Sequence, residues 1–92
     1  MIARQPRYSM EEFVRRGNDI YERDIRPQVD NDQNRGKFVA IDIETGQWAI
    51  NANELTAGDL LFARVPDAQT WMVRVGYGSL RRFGAGRPRR LA

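Results

Sequence analysis

Ninety-two residues, 41% hydrophobic and 29% charged, make one small globular domain with a limited core. The chain has no Cys and no His, which excludes disulfides and thiolate metal sites and removes the commonest general base and zinc ligand. There is no run of 18 apolar residues to span a membrane, and the opening MIARQPRYSM lacks the apolar segment of a secretion signal, so a cytoplasmic location is expected.

The net charge of +3 is unevenly spread. Residues 1–67 hold nine cationic and twelve acidic side chains, a balance of −3. The remainder holds six arginines, Arg74, Arg81, Arg82, Arg87, Arg89 and Arg90, and no acid. Guanidinium forks suit phosphates and carboxylates better than ammonium groups do.

Residues 1–7 read as a lead-in. A helix then starts at Ser9, whose partner three residues on, Glu12, completes a capping box, with Tyr8 and Phe13 at the staple positions. Phe13, Gly17, Ile20, Tyr21 and Ile25 form one apolar stripe. Gly17 weakens the helix by about 1 kcal/mol against Ala but permits close approach. Arg26 precedes Pro27, so the helix is expected to end there. QVDNDQNRG, 28–36, reads as a loop. Its alternating Asp30 and Asp32 do not match the twelve-residue calcium pattern.

KFVAIDIE reads as a strand with Val39, Ile41 and Ile43 toward a core and Phe38, Ala40 and Asp42 on the other face. ETGQ makes a short hairpin turn, with Gly46 free to take positive φ. The second strand, QWAINA, puts Trp48 and Ile50 on one face. A second helix follows, capped by Asn53 or by Thr56. The latter would pair with Asp59 in a capping box, with Leu55 and Leu60 as staple. Leu60, Leu61 and Val65 give it an apolar side, and Pro66 ends it. TWMVRVGYG alternates as a third strand, with Trp71, Val73, Val75 and Tyr77 on one face and Thr70, Met72 and Arg74 on the other. SLRRFGAGRPRRLA has no period and reads as a tail.

The expected fold is α+β in the order α-β-β-α-β. Its small three-stranded sheet, order 2-1-3, is packed by helices in a single domain spanning residues 1–83. A flexible basic tail occupies 84–92. The third strand runs parallel to the second and antiparallel to the first. Three strands and one helix leave a sheet face under-covered, so the first helix covers it in its own chain or in a partner, and a homo-oligomer is expected.

Asp42-Ile43-Glu44-Thr45 resembles the first motif of the proofreading-type 3′–5′ exonucleases. Two-metal hydrolysis needs about four carboxylates converging on cations ~4 Å apart. Downstream of Glu54 the only acids are Asp59 and Asp67, and the position where that family's third motif would place an Asp is Arg81. Asp-x-Glu at a strand end is often simply solvated. Ser9, Ser79, Thr45, Thr56 and Thr70 have no evident base. Gly76-Tyr77-Gly78 with its neighbouring arginines remains a candidate phosphate cradle. The reading is therefore no catalytic residues, no metal site and no cofactor.

The run GKFVAIDIETG … ELTAGDLLFARVPDAQTWMVRVGYGSLRRFG resembles a group of small, uncharacterised bacterial proteins, over about residues 10–84. The shared positions are Gly36, Lys37, Phe38, Val39, Ala40 and Ile41, then Pro66, Asp67 and Ala68, then Val73, Arg74, Val75 and Gly76. The resemblance implies no known activity. Some small proteins of similar hairpin–helix architecture look like antitoxin-type partners.

Two functional classes follow. The first is a non-enzymatic protein-interaction module, antitoxin-like or an accessory subunit, with Trp71, Arg74 and Tyr77 as the partner-binding residues. The strand's alternation also reads Trp71 and Tyr77 as core. The second is a nucleic-acid-binding protein using Arg81, Arg82, Arg87, Arg89 and Arg90, with Tyr77 or Phe83 stacking on bases.

Overall fold

A computed structural model describes residues 8–83, with side chains for residues 8–77. The lead-in at 1–7 and the tail at 84–92, with Arg87, Arg89 and Arg90, lie outside the described residues.

Helix α1, Met10–Ile20, starts as its cap dictates: the Ser9 hydroxyl accepts from the Glu12 N–H at 3.1 Å. It does not stop before Pro27. A wide π-helical turn, Tyr21–Ile25, leads into a last helical turn, α2, Arg26–Val29. The Arg26 N–H reaches back five residues to the Tyr21 carbonyl. This wider winding gives the Pro27 ring room where a regular helix would set it against the carbonyl four residues back. It also explains the sequence spacing. Phe13, Gly17, Tyr21, Ile25 and Val29 recur strictly every four residues. On a regular helix of 3.6 residues per turn that spacing drifts about 160° from first to last. With the wide turn, Phe13, Tyr21, Ile25 and Val29 all enter one core.

Strands β1, Phe38–Asp42, and β2, Trp48–Asn51, form the expected hairpin, with Gly46 at φ 82°. Helix α3, Glu54–Arg64, is capped by Asn53, whose side-chain oxygen accepts from the Thr56 N–H at 3.0 Å. Thr56 is therefore inside the helix, and the alternative staple does not form: Leu55 and Leu60 are exposed. Strand β3, Thr70–Arg74, pairs antiparallel with β1, which gives the order β2-β1-β3.

The sheet continues one strand further than expected. Gly78–Phe83 forms β4, antiparallel to β3 at the outer edge, for the order β2-β1-β3-β4. The start of what reads as a tail is thus an edge strand, with Arg82 registered opposite Trp71 and Arg81 opposite Met72. A register shift between Met72 and Val73 leaves Leu80 as the extra residue of a bulge.

Both sheet faces are covered within the chain. On one, Phe13, Tyr21, Ile25 and Val29 pack against Val39, Ile41, Ile43, Trp71, Val73 and Val75. On the other, Ala57, Leu61 and Val65 of α3 and its flank pack on Ala40, Ala49 and Met72. Of the two arrangements expected for the first helix, it takes the one in which it covers the sheet of its own chain. Among the described residues no helix is long and apolar enough to cross a membrane.

Candidate functional site

The two ends of the sheet differ in chemistry. One end carries the Asp-Ile-Glu-Thr segment. Asp42 is 1% exposed. Its Oδ1 accepts from the Gln69 N–H at 2.9 Å and the Glu44 N–H at 3.3 Å. Its Oδ2 accepts from the Thr45 hydroxyl at 2.7 Å and the Thr45 N–H at 3.2 Å. This carboxylate is not solvated, as strand-end acids often are. It fastens the β1–β2 turn to the entrance of β3, and protein donors occupy its oxygens. Among the described residues no three side chains of His, Cys, Asp or Glu type gather to hold a metal ion.

Beside it, a cleft of about 320 Å³ runs between α1 and the hairpin, lined by Arg16, Asp19, Arg23, Asp24, Glu44 and Thr45 among others. Two of its arginines are engaged internally. Arg16 donates to the Ile43 carbonyl at 3.2 Å and lies over the Tyr8 ring at 4.7 Å. Arg23 pairs with Asp24 at 3.1 Å. That pairing raises the Arg23 pKa, through the hydrogen bond and then through charge.

The other end gathers cations and rings. Phe38 opens β1 and is registered opposite Arg74, the last residue of β3. That register brings the Arg74 guanidinium over the Phe38 ring, 5.2 Å from its centroid. After Val75 the chain turns at Gly76, whose φ of 85° is open to glycine. The turn closes with the Tyr77 N–H donating to the Arg74 carbonyl at 2.9 Å. Tyr77 is thereby placed at the tip of the β3–β4 hairpin, with Arg74 4.3 Å from its ring centroid. Arg35, from the loop before β1, lies 5.7 Å from the same ring. Its side chain rests on Gly76, where a β-carbon would stand 3.2 Å from Nη1.

The result is a ladder: Phe38, Arg74, Tyr77, Arg35. It is braced from below. Arg74 Nε donates to the Gly36 carbonyl at 3.1 Å, the Gly36 N–H donates to Val75 at 2.9 Å, and the Val75 N–H donates to Lys37 at 2.8 Å. Tyr77 is nevertheless 60% exposed. Among the described residues neither Arg35 nor Arg74 has a carboxylate partner.

The three residues expected to bind a partner are therefore divided. Arg74 and Tyr77 come together at the surface. Trp71 does not join them. It is 4% exposed, its indole N–H donates to Asn18 at 3.1 Å, and its ring packs 6.1 Å from that of Phe13. Trp71 lies in the core, as the strand's alternation reads it. Tyr77 departs from the face it was expected to share with Trp71 because Gly76 breaks the strand. Arg35 and Phe38 complete the site without having been singled out as binders. The signal for them was the Arg-Gly-Lys-Phe run at the entrance of β1. Of the second set, Arg81 and Arg82 lie in β4, and Arg87, Arg89 and Arg90 are outside the described residues. Comparison with protein-family models, with curated proteins and with solved structures finds no match to this chain.

Proposed function

We propose that the chain is a non-enzymatic protein-interaction module, of the kind an antitoxin-like or accessory subunit provides, and that its contact surface is the ladder of Arg35, Phe38, Arg74 and Tyr77. The observation that carries this reading is the state of Tyr77: exposed, yet held in place by the guanidiniums of Arg35 and Arg74. Tyrosine and arginine dominate binding hot spots, and a side chain already fixed loses little freedom on association. The test is capture of a partner from native lysate, treated with nuclease, by the wild type and by Tyr77→Ala. A partner that survives nuclease and is lost with Tyr77→Ala supports the reading. A partner held equally by both proteins counts against it.

A second reading has its own support. β4 sets Arg81 and Arg82 at the open edge of the sheet, continuous with the basic C-terminal run. A nucleic acid engaged there would bind with an affinity that falls steeply with salt, and deletion of 84–92 would weaken it. The same deletion leaves a ladder-bound partner in place.

A further inference from the structure

Building on the interaction-module reading, we infer that the ladder recognises carboxylates on an acidic peptide segment of the partner, through the terminal nitrogens of Arg35 and Arg74.

The first argument is one of unmet hydrogen-bonding capacity. A guanidinium carries five N–H donors and accepts nothing. Arg74 uses its Nε on the Gly36 carbonyl, and Arg35 has no acceptor among the described residues. Both guanidinium groups lie near rings, and beyond the Arg74 Nε none of their N–H groups has a hydrogen-bond acceptor among the described residues. A planar fork with free N–H pairs matches the two oxygens of a carboxylate.

The second argument concerns preorganisation. Arg74 is held by one hydrogen bond and two rings, and Arg35 is seated on Gly76 and Tyr77. Exposed arginines normally lose considerable rotamer freedom when they bind. Here much of that ordering is already present. Phe38 and the exposed Tyr77 add apolar surface for a side chain flanking the acid.

The third argument separates a peptide from a polynucleotide. A phosphodiester chain is followed by a track of cations along several phosphates. Arg35 and Arg74 meet around a single ring and make one point. Over residues 8–83 the chain carries ten cationic and twelve acidic side chains, a balance of −2, and the whole chain is +3. A short segment with one or two acids needs only the ladder.

The experiment titrates the full-length protein, labelled for amide NMR, with a blocked Gly-Asp-Leu-Asp-Gly peptide and with its Asn counterpart. Inorganic phosphate and a short oligothymidylate serve as competitors. The expected result is a shift of the Gly36, Gly76 and Tyr77 amides with the acidic peptide. Arg35→Gln should weaken that binding about fivefold, and the Asn peptide should bind about tenfold more weakly. Arg35 is exposed, so this variant keeps the fold. Equal or absent response to the two peptides overturns the inference, as does tighter competition at these amides by phosphate or oligothymidylate. If the captured partner still depends on Tyr77 while the acidic peptide has no effect, the module reading stands and the carboxylate assignment falls.

Discussion

Gly17 lies beneath the Trp71 indole. A β-carbon built at Gly17 would overlap Cγ and Cδ1 of the ring and come within 2.8 Å of the Trp71 Cβ. The helix accepts a poor helix former there because the sheet needs the space. Gly17→Ala therefore sets two effects against each other. Helix propensity favours Ala by about 1 kcal/mol, while overpacking a filled core costs about 1–3 kcal/mol or more. The ring cannot retreat, because Phe13 and Asn18 hold it. Net destabilisation of about 1–2 kcal/mol is expected, visible as a lower urea midpoint with an unchanged slope. An unchanged or higher midpoint would show that Trp71 has room to move.

Asp42 makes a similar connection at the other end of the sheet, through hydrogen bonds. Its carboxylate joins the hairpin turn to Gln69 across sequence. Replacing it by Ala leaves buried N–H donors without acceptors, and about 3 kcal/mol of stability should be lost. Thr45→Val removes the hydroxyl's bond to Asp42 and the acceptor of the Gln47 N–H and should cost about 1–2 kcal/mol. Since protein donors fill the carboxylate oxygens, magnesium or EDTA should leave the wild-type melting temperature unchanged. A magnesium-dependent rise abolished in the Asp42 variant would mean that the segment holds a cation after all.

Much of this architecture could be read from residues. The Ser9 cap, the apolar stripe of α1 and the alternation of β1 and β3 specify elements, and short connections then favour the order β2-β1-β3. What escaped reading has identifiable causes. β4 has no alternating apolar pattern, and its strand state comes from pairing with β3, which a local window does not contain. Val29 was hidden because Pro27 signals a helix end, and only a wide turn carries the helix past it. Tyr77 was placed with Trp71 because the alternation was extended through Gly76, whose positive φ ends it. The ladder joins Arg35 from a loop with Arg74 from a strand thirty-nine positions later, a proximity created by register.

The cap of α3 was ambiguous in sequence and can be tested directly. Asn53 accepts from the Thr56 N–H, so Asn53→Ala should cost about 1 kcal/mol. Thr56→Ala, inside the first turn, sets the loss of an exposed hydroxyl bond to Asn53 against a better helix former and should change stability by only a few tenths. The comparison is read from paired denaturation curves. The reverse order of effects would place the helix start at Thr56.

Tyr21 supplies a pH dependence. Burial, followed by the charge of Asp30, raises its pKa above the ordinary 10.0. At alkaline pH the unfolded chain therefore ionises this tyrosine before the folded chain does. Protons bind more strongly to the folded state, so its contribution is fully present below pH 10.0 and is lost as pH rises through the raised value. Between about pH 8 and about pH 11 the wild type should lose more stability than Tyr21→Phe, measured by urea unfolding at each pH. Parallel losses would show that Tyr21 reaches solvent freely.

Trp71 and Tyr77 are six positions apart on a strand and its turn, and their truncation should separate a core residue from a surface one. Trp71→Ala removes a ring packed against Phe13 and hydrogen-bonded to Asn18, and a loss of about 3–5 kcal/mol is expected. For a domain of this size, that threatens folding altogether. Tyr77→Ala removes a ring that is 60% exposed and contacts guanidinium groups. Its loss should be about 0.5–1 kcal/mol, chiefly the cation–π contacts. A large effect at Tyr77 would make the ladder a structural brace and remove the reason to regard it as a contact surface. A small one leaves a tyrosine and two arginines positioned at the surface at little cost to the fold.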